Sequence, residues 1–446
     1  MIQCGMAKSF RPWDVEQTWL LPPSVQELVP PRHPAHLVRE IVRTQLDLSA
    51  IFTAYDEERG YPPYHPTMMT ALLLYGYTQG LFSSRKLAKA CEERIDFMAV
   101  TAMQKPDYRT IGKFRLRHLE ALGALFVQVL KRCGRAGLVR LGHVALDGTK
   151  VKANASKHKA MSYKRMRETE ARLRAEVASW FQRADAEDTS EDAEHGDRRG
   201  DEMPDWVANK MERLAKIEEA KAALEEEARQ EAAARHRDGD DDGPPAPKTP
   251  KHHIDGTPGE DSQRNFTDPE SRILKTRDGY MQGYNVQAAV DGKRQIIVAT
   301  EVYAAQNDVE FLDDMLAQIR SNTGRQAREV SADYGYLSEA NLIECSRRHV
   351  EAYIATGRLR HEDGKPTDSG RRPKGARVVA MDLKLRRAGW RSRYRLRKQI
   401  VEPVFGQIKT VLGFASFLLR GLRKVRGEWR LVATAHNLRK LLAASA

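Results

Sequence analysis

At 446 residues the chain can hold two or three domains and a large core. It has no apolar run near the roughly 20 residues a bilayer span needs, which excludes a membrane-spanning helix. The formal charge of +13 is unevenly placed. Residues 371–446 hold 20 of the 74 Lys and Arg but 3 of the 61 Asp and Glu, a local +17, so residues 1–370 carry 54 against 58, or −4. A basic tail of this kind implies a polyanion partner, nucleic acid before a membrane surface.

The N-terminal MIQCGMAKSFRPWD has no apolar h-region, so no secretory signal is expected. Cys4, Cys91, Cys133 and Cys345 are widely spaced without a CxxC, which suits reduced thiols in a cytoplasmic protein better than a zinc site or disulfides. In the first 60 residues, Pro22–Pro23 and Pro30–Pro31 bracket a short helix over 24–29, and a longer one is expected over 36–48.

Residues 65–120 read as a compact helical unit. Pro66 opens an apolar helix that Gly80 ends, and Ser83 or Ser84 caps the next. Asp107 is a plausible N-cap for a third, whose first half carries Arg109, Lys113, Arg115 and Arg117. Two helices followed by a basic one are compatible with a helix-turn-helix-like DNA module, giving a helical DNA-binding domain over 1–135. A bundle with a solvated basic face would read the same way.

After Gly137 the period changes, and 143–151 alternates as a strand around Asp147. Asp147–Gly148 could equally be a hairpin turn. Residues 157–262 interrupt, with charge-laced helices over 157–184 and 206–235, acidic joints, and adjacent His252 and His253 read as linker residues. The sheet resumes with a hairpin (280–291 and 293–302), an amphipathic helix (308–320) and a strand (329–332) ending at Asp333. Ser338 caps a helix, 350–356 is a last strand, and 358–392 is expected to be a basic loop.

The stretch RYRLRKQIVEPVFGQIK follows, in which Glu402 stands alone among cations. At helical spacing Arg395, Lys398, Glu402, Phe405 and Lys409 fall near one face, with Pro403 expected to kink the helix. In the C-terminal helix, Trp429 and His436 read as core residues. The element order suggests a mixed sheet flanked by helices, an α/β domain over 136–446. Asp147 and Asp333 would lie on neighbouring strands with Glu402 brought up by a helix. Three such carboxylates can hold two hard divalent cations, Mg2+ or Mn2+, for phosphodiester chemistry.

HVALDGTKVKAN, VSADYGYLS and VEPVFGQIK, with GYNVQAAVD, PDYRTIGKFR and LLRGLRKVRGEWRLVATAHNLRKL, together resemble the DDE transposases of bacterial insertion sequences. The resemblance covers nearly the whole chain outside 157–262. It implies an RNase H-like core with an inserted helical hairpin, and Asp147, Asp333 and Glu402 as catalytic metal ligands. It also implies DNA partners, namely terminal inverted repeats and target, with a homodimer in the assembled DNA complex. The family's Y-x2-R-x3-E-x6-K helix is met at Glu402 and Lys409. At the Arg position stands Lys398, one residue past Arg397, and at the Tyr position Arg395, beside Tyr394. The alternatives from other classes are a catalytically silent DNA-binding regulator and an RNase H-type nuclease.

Overall fold

The computed structural model describes residues 24–55, 63–195, 205–237, 256–276, 279–305, 308–357 and 375–445. Residues 24–29 form turns, not the expected helix, because the bracketing prolines leave too few residues to repay helix nucleation. Helices come first: α1 (Pro34–Thr44), α2 (Ser49–Phe52), α3 (Pro66–Thr78), α4 (Ser84–Glu93), α5 (Ile95–Thr101), α6 (Tyr108–Arg117) and α7 (Leu119–Arg135). Pro66 opens α3, which is apolar nearly all round and correspondingly buried. Asp107 caps α6 by accepting from the Arg109 N–H at 2.8 Å. The single long helix expected from here breaks at His118 into α6 and α7.

Strand β1 (His143–Lys152) leads to β2 (Ala160–Ser162), α8 (Tyr163–His195), α9 (Asp205–Arg237) and β3 (Gln263–Asn265). β2 pairs antiparallel with β3, so the chain segments at the base of α8 and α9 meet at one ladder. α8 and α9 share a small core of Met166, Leu173, Ile217, Ala220 and Leu224, separate from the main one. His252 and His253 lie outside the described residues.

There follow β4 (Arg272–Thr276), a strand not foreseen, then β5 (Gly279–Asp291), β6 (Ile296–Tyr303), α10 (Leu312–Thr323), β7 (Glu329–Ala332), α11 (Glu339–Arg347) and β8 (Glu351–Ile354). The sheet runs β4-β5-β1-β7-β8, with β6 also on β5. β5 is antiparallel to β1, β4 and β6, while β1–β7 and β7–β8 are parallel. This is the mixed sheet expected.

The expected basic loop over 358–392 is corrected in its second part: Ala376–Ala388 is a helix, α12, within the described residues. Glu339 caps it, accepting from the Arg377 and Val378 N–H groups at 3.0 and 3.2 Å, and Val378 and Met381 are buried. Its start is thus held by a carboxylate distant in sequence.

The chain closes with α13 (Leu396–Gly406), a π turn (Gln407–Val411) and α14 (Leu422–Ser445). Pro403 lies within α13, and the wide turn follows directly. One apolar core runs from Ala35 on α1 to Leu442 on α14, and α14 packs on α3, α7 and β6. Trp429 is 1% exposed with its indole N–H on Thr300, and the buried His436 ring meets Gln295 O at 2.9 Å, so both are core residues. Cys91, Cys133 and Cys345 are buried, and among the described residues they form no disulfide. Among the described residues no helix is long and apolar enough to cross a membrane.

Candidate active site

Asp147 sits mid-strand on β1, opposite Ala288 of β5, so the hairpin-turn reading falls. The parallel register of β1 and β7 (Ala145 against Ser331) brings Asp147, mid-strand on β1, level with Asp333, just past the end of β7. Asp333 caps a short turn, accepting from Gly335 N–H at 2.9 Å. Burial pushes the Asp147 carboxyl up to about 7, against the pull of Arg397 and with a further push from Asp333.

Arg397 is the hub of the site. It is 8% exposed, donates to Asp147 Oδ2 at 2.5 Å, and reaches Glu402 Oε1 at 3.9 Å. Tyr394 hydrogen-bonds it, Asp333 acts on its charge, and its buried Nε finds no partner. Glu402 itself is 52% exposed in its side chain.

The expected alignment of Arg395, Lys398, Glu402, Phe405 and Lys409 on one face is corrected at Phe405, which is buried, and at Lys409, which is half-buried. Arg397, Ile400, Val401, Val404, Phe405 and Ile408 are buried, while Arg395, Lys398 and Glu402 are exposed. At about 100° per residue, an apolar stripe at 400, 401 and 404 turns 397 inward and 398 and 402 outward. Arg397 and Glu402 lie about 140° apart around the helix, so only a long side chain joins them. It is Arg397, not Lys398, that meets the Asp147 carboxylate.

Lys409 is half-buried. It donates to Thr149 Oγ1 at 2.6 Å and Lys150 O at 2.7 Å, tying the π turn to β1. Burial lowers its pKa, and of its three N–H donors one is left over. Arg115 is corrected as well: at 6% exposure it donates to Phe82 O at 2.8 Å and Tyr77 Oη at 3.2 Å, so it braces the helices and cannot reach a phosphate. Arg109 and Lys113 are exposed on α6.

Four residues escape a reading of the sequence. Asp308 Oδ1 accepts from Asn285 Nδ2 at 2.7 Å and Gln287 Nε2 at 2.8 Å, and Tyr336 donates to Gln287 Oε1. Burial raises the Asp308 pKa, opposed by the two amides and assisted by Asp333. The available signal is Asn285 and Gln287, two residues apart and so on one face of β5, within a stretch from Tyr284 to Val290 that is otherwise apolar or aromatic.

Gly148 makes room for this network. A Cβ there would stand 2.5 Å from Gln287 Nε2, 3.1 Å from Asn285 Oδ1 and 3.2 Å from Asp308 Oδ1. Gln287 is fully buried and bonded at both ends, so it cannot swing away. Gly148→Ala is expected to destabilise by about 1–3 kcal/mol, as overpacked cores do. Chemical denaturation measures it, and an unchanged midpoint would mean that the network yields.

Among the described residues no three His, Cys, Asp or Glu side chains stand close enough to hold one ion as placed. The chemistry of the donors suits a hard cation: Asp147, Asp333 and Glu402 offer carboxylate oxygens, Asp147 and Glu402 pairing with the Arg397 guanidinium and Asp333 acting on its charge.

Two family models match the chain. One, described as Transposase domain (DUF772), covers residues 23–117, and the other, described as Transposase DDE domain, covers 248–438. The chain belongs to the DDE transposases of insertion-sequence type. Asp333 and Glu402 lie inside the second match, and Asp147 between the two. No curated protein and no solved structure matches the chain.

Proposed function

We propose that this transposase binds the terminal inverted repeats of its own element, cuts them at phosphodiester bonds and joins the freed ends to target DNA. The observation that carries the reading is the pair Asp147 and Asp333, level with each other on parallel neighbours, charge-balanced by Arg397 within reach of Glu402. The sheet order supports an RNase H-like core over 136–446, into which 157–262 is inserted as a helical arm.

Asp147, Asp333 and Glu402 are the residues that would hold two divalent cations. Bound there, the ions would supply Lewis-acid charge at the scissile phosphate. Arg397 offers a planar fork suited to bidentate phosphate contact, and Tyr394 orients it. Lys409 fixes the π turn on β1 and keeps one N–H for a phosphate. Lys398 and Arg395 face outward beside Glu402, and Arg109 and Lys113 face outward on α6, as DNA contacts. Two DNA ends call for two copies of the chain in the working complex.

The test is a plasmid carrying the element's own flanking ends, incubated with the full chain and Mg2+ or Mn2+. Nicks at those ends are expected, and none in an RNA–DNA hybrid. Absence of metal-dependent cleavage would leave a silent DNA-binding regulator. Cleavage of the hybrid in preference to the ends would assign the site to an RNase H-type nuclease.

A further inference from the structure

One concavity of the described residues lies away from the acids. It is a cleft of about 1270 Å³ at the opposite end of the sheet, where β1 and β7 begin. The β5–β6 turn, the first half of α13 and the end of α14 complete its walls. Six cations line it: Arg140, Lys293, Arg294, Arg328, Arg393 and Lys440.

The two acids there are already engaged. Asp291 accepts from the backbone N–H groups of Leu141 at 2.6 Å, Lys293 at 2.9 Å and Arg140 at 3.2 Å. Glu329 meets the His143 ring at 2.9 Å and Arg393 at 2.5 Å. Lys293 and Lys440 are bonded to Gly137 O at 2.6 Å and Gln295 Oε1 at 2.9 Å, neither of which carries charge. Among the described residues no hydrogen bond or ion pair holds the side chains of Arg140, Arg294 and Arg328, all exposed.

Unpaired guanidinia on three separate segments, converging on one cleft, leave a positive charge that the described residues do not neutralise. We propose that this cleft is a second nucleic-acid site, which takes the phosphate backbone of duplex DNA away from the scissile bond. The cleft is far larger than one phosphate, so its occupant is an extended polyanion. It rests on the transposase reading in taking that polyanion to be DNA. Its mouth at His143 lies four residues along β1 from Asp147, about 13 Å. α13 links the two places, since Leu396, Gln399 and Ile400 line the cleft and Arg397 holds Asp147.

The experiment uses the full chain, a fluorescein-labelled duplex of about 30 base pairs and arbitrary sequence, and anisotropy over a series of salt concentrations. The variant is Arg140→Gln/Arg294→Gln/Arg328→Gln. Its salt slope is expected to fall in magnitude by about 2.7, at about 0.9 per phosphate contact removed, with affinity at least about tenfold weaker at about 0.1 M salt. A folded triple variant with wild-type slope and affinity would overturn the cleft and leave the active-site reading intact. Weakened binding to a poly-glutamate probe with DNA binding unchanged would overturn it too, in favour of an acidic protein segment. Wild-type protein with no salt-dependent DNA binding would strike both readings. If the triple variant is unfolded, Arg294→Gln alone, on the exposed β5–β6 turn, should lower the slope by about 0.9, and an unchanged slope is again fatal.

Discussion

Asp147→Asn, Asp333→Asn and Glu402→Gln are each expected to lower end cleavage about a thousandfold or more, about 4 kcal/mol in the barrier. Each removes one negative charge from a site that gathers acids around a cation, while the shape is kept. Folding should survive. Asn at 147 can still accept one of the two hydrogen bonds that Asp147 takes from Gly148 N–H, at 3.0 Å, and from Arg397. Because burial raises the Asp147 pKa, a neutral group there is tolerated, and the expected change in unfolding free energy is within about 2 kcal/mol. Glu402 faces outward, so Glu402→Gln should change stability by no more than about 0.5 kcal/mol. Purified variants are compared by plasmid nicking with Mn2+, alongside denaturation. Retained cleavage in any one of them removes that residue from the site. The Glu402 variant is the sharpest of the three, because its side chain meets the others only through Arg397.

Replacing residues 163–262 with a short Gly/Ser turn is expected to leave a folded protein that still nicks single ends but joins paired ends at least about tenfold less, about 1.4 kcal/mol. Most of the β2–β3 ladder stays, and loop-closure cost varies only slowly with length. The arm has its own small core, so its removal opens little of the main one. At its base the deletion breaks the pairs of Glu227 with Arg264 at 2.6 Å and with Arg272 at 3.0 Å. The hydrogen bond from Tyr163 to Glu225, at 2.8 Å, goes with the arm itself. The two ion pairs are partly exposed, worth about 1 kcal/mol or less each. Phe181, Trp206 and Met211 are exposed on α8 and α9 outside that core, and the expected loss of joining supposes that they meet a second copy in the proposed complex. Thermal unfolding and a two-end joining assay decide the matter. An unfolded product would make the arm part of the fold, and undiminished joining would deny it a role in assembly.

Much of the local structure is legible because local rules govern it. Asp107 and Ser338 are N-caps whose side chains meet the first free N–H groups, alternation marks β1, and two runs either side of Asp291–Gly292 mark the β5–β6 hairpin. β4 escapes because RILKT is a short strand beside a charged segment, and it is specified by pairing with Met281 and its neighbours on β5. α12 escapes because its cap, Glu339, lies on α11.

What the sequence determined by itself is the set of chemical parts: the order of acids Asp147, Asp333 and Glu402, their strand and helix settings, and the concentration of positive charge in residues 371–446. Order along the chain and periodicity are enough for that, because strand and helix patterns are local. Only the tertiary structure decided which cation meets which acid. Spacing to Glu402 favoured Lys398, but the burial of Ile400, Val401 and Val404 against the sheet turned Arg397 inward instead. It also brought in Asp308, Asn285 and Gln287, whose bonds span separate elements, and removed Arg115 into the core. The basic cleft is of the same kind. Arg140, Arg294 and Arg328 come from the part of the chain with a net −4, and no count along the sequence places them together. Side-chain charge acts through space over a Debye length of about 10 Å, so strand pairing, not sequence distance, sets which charges add.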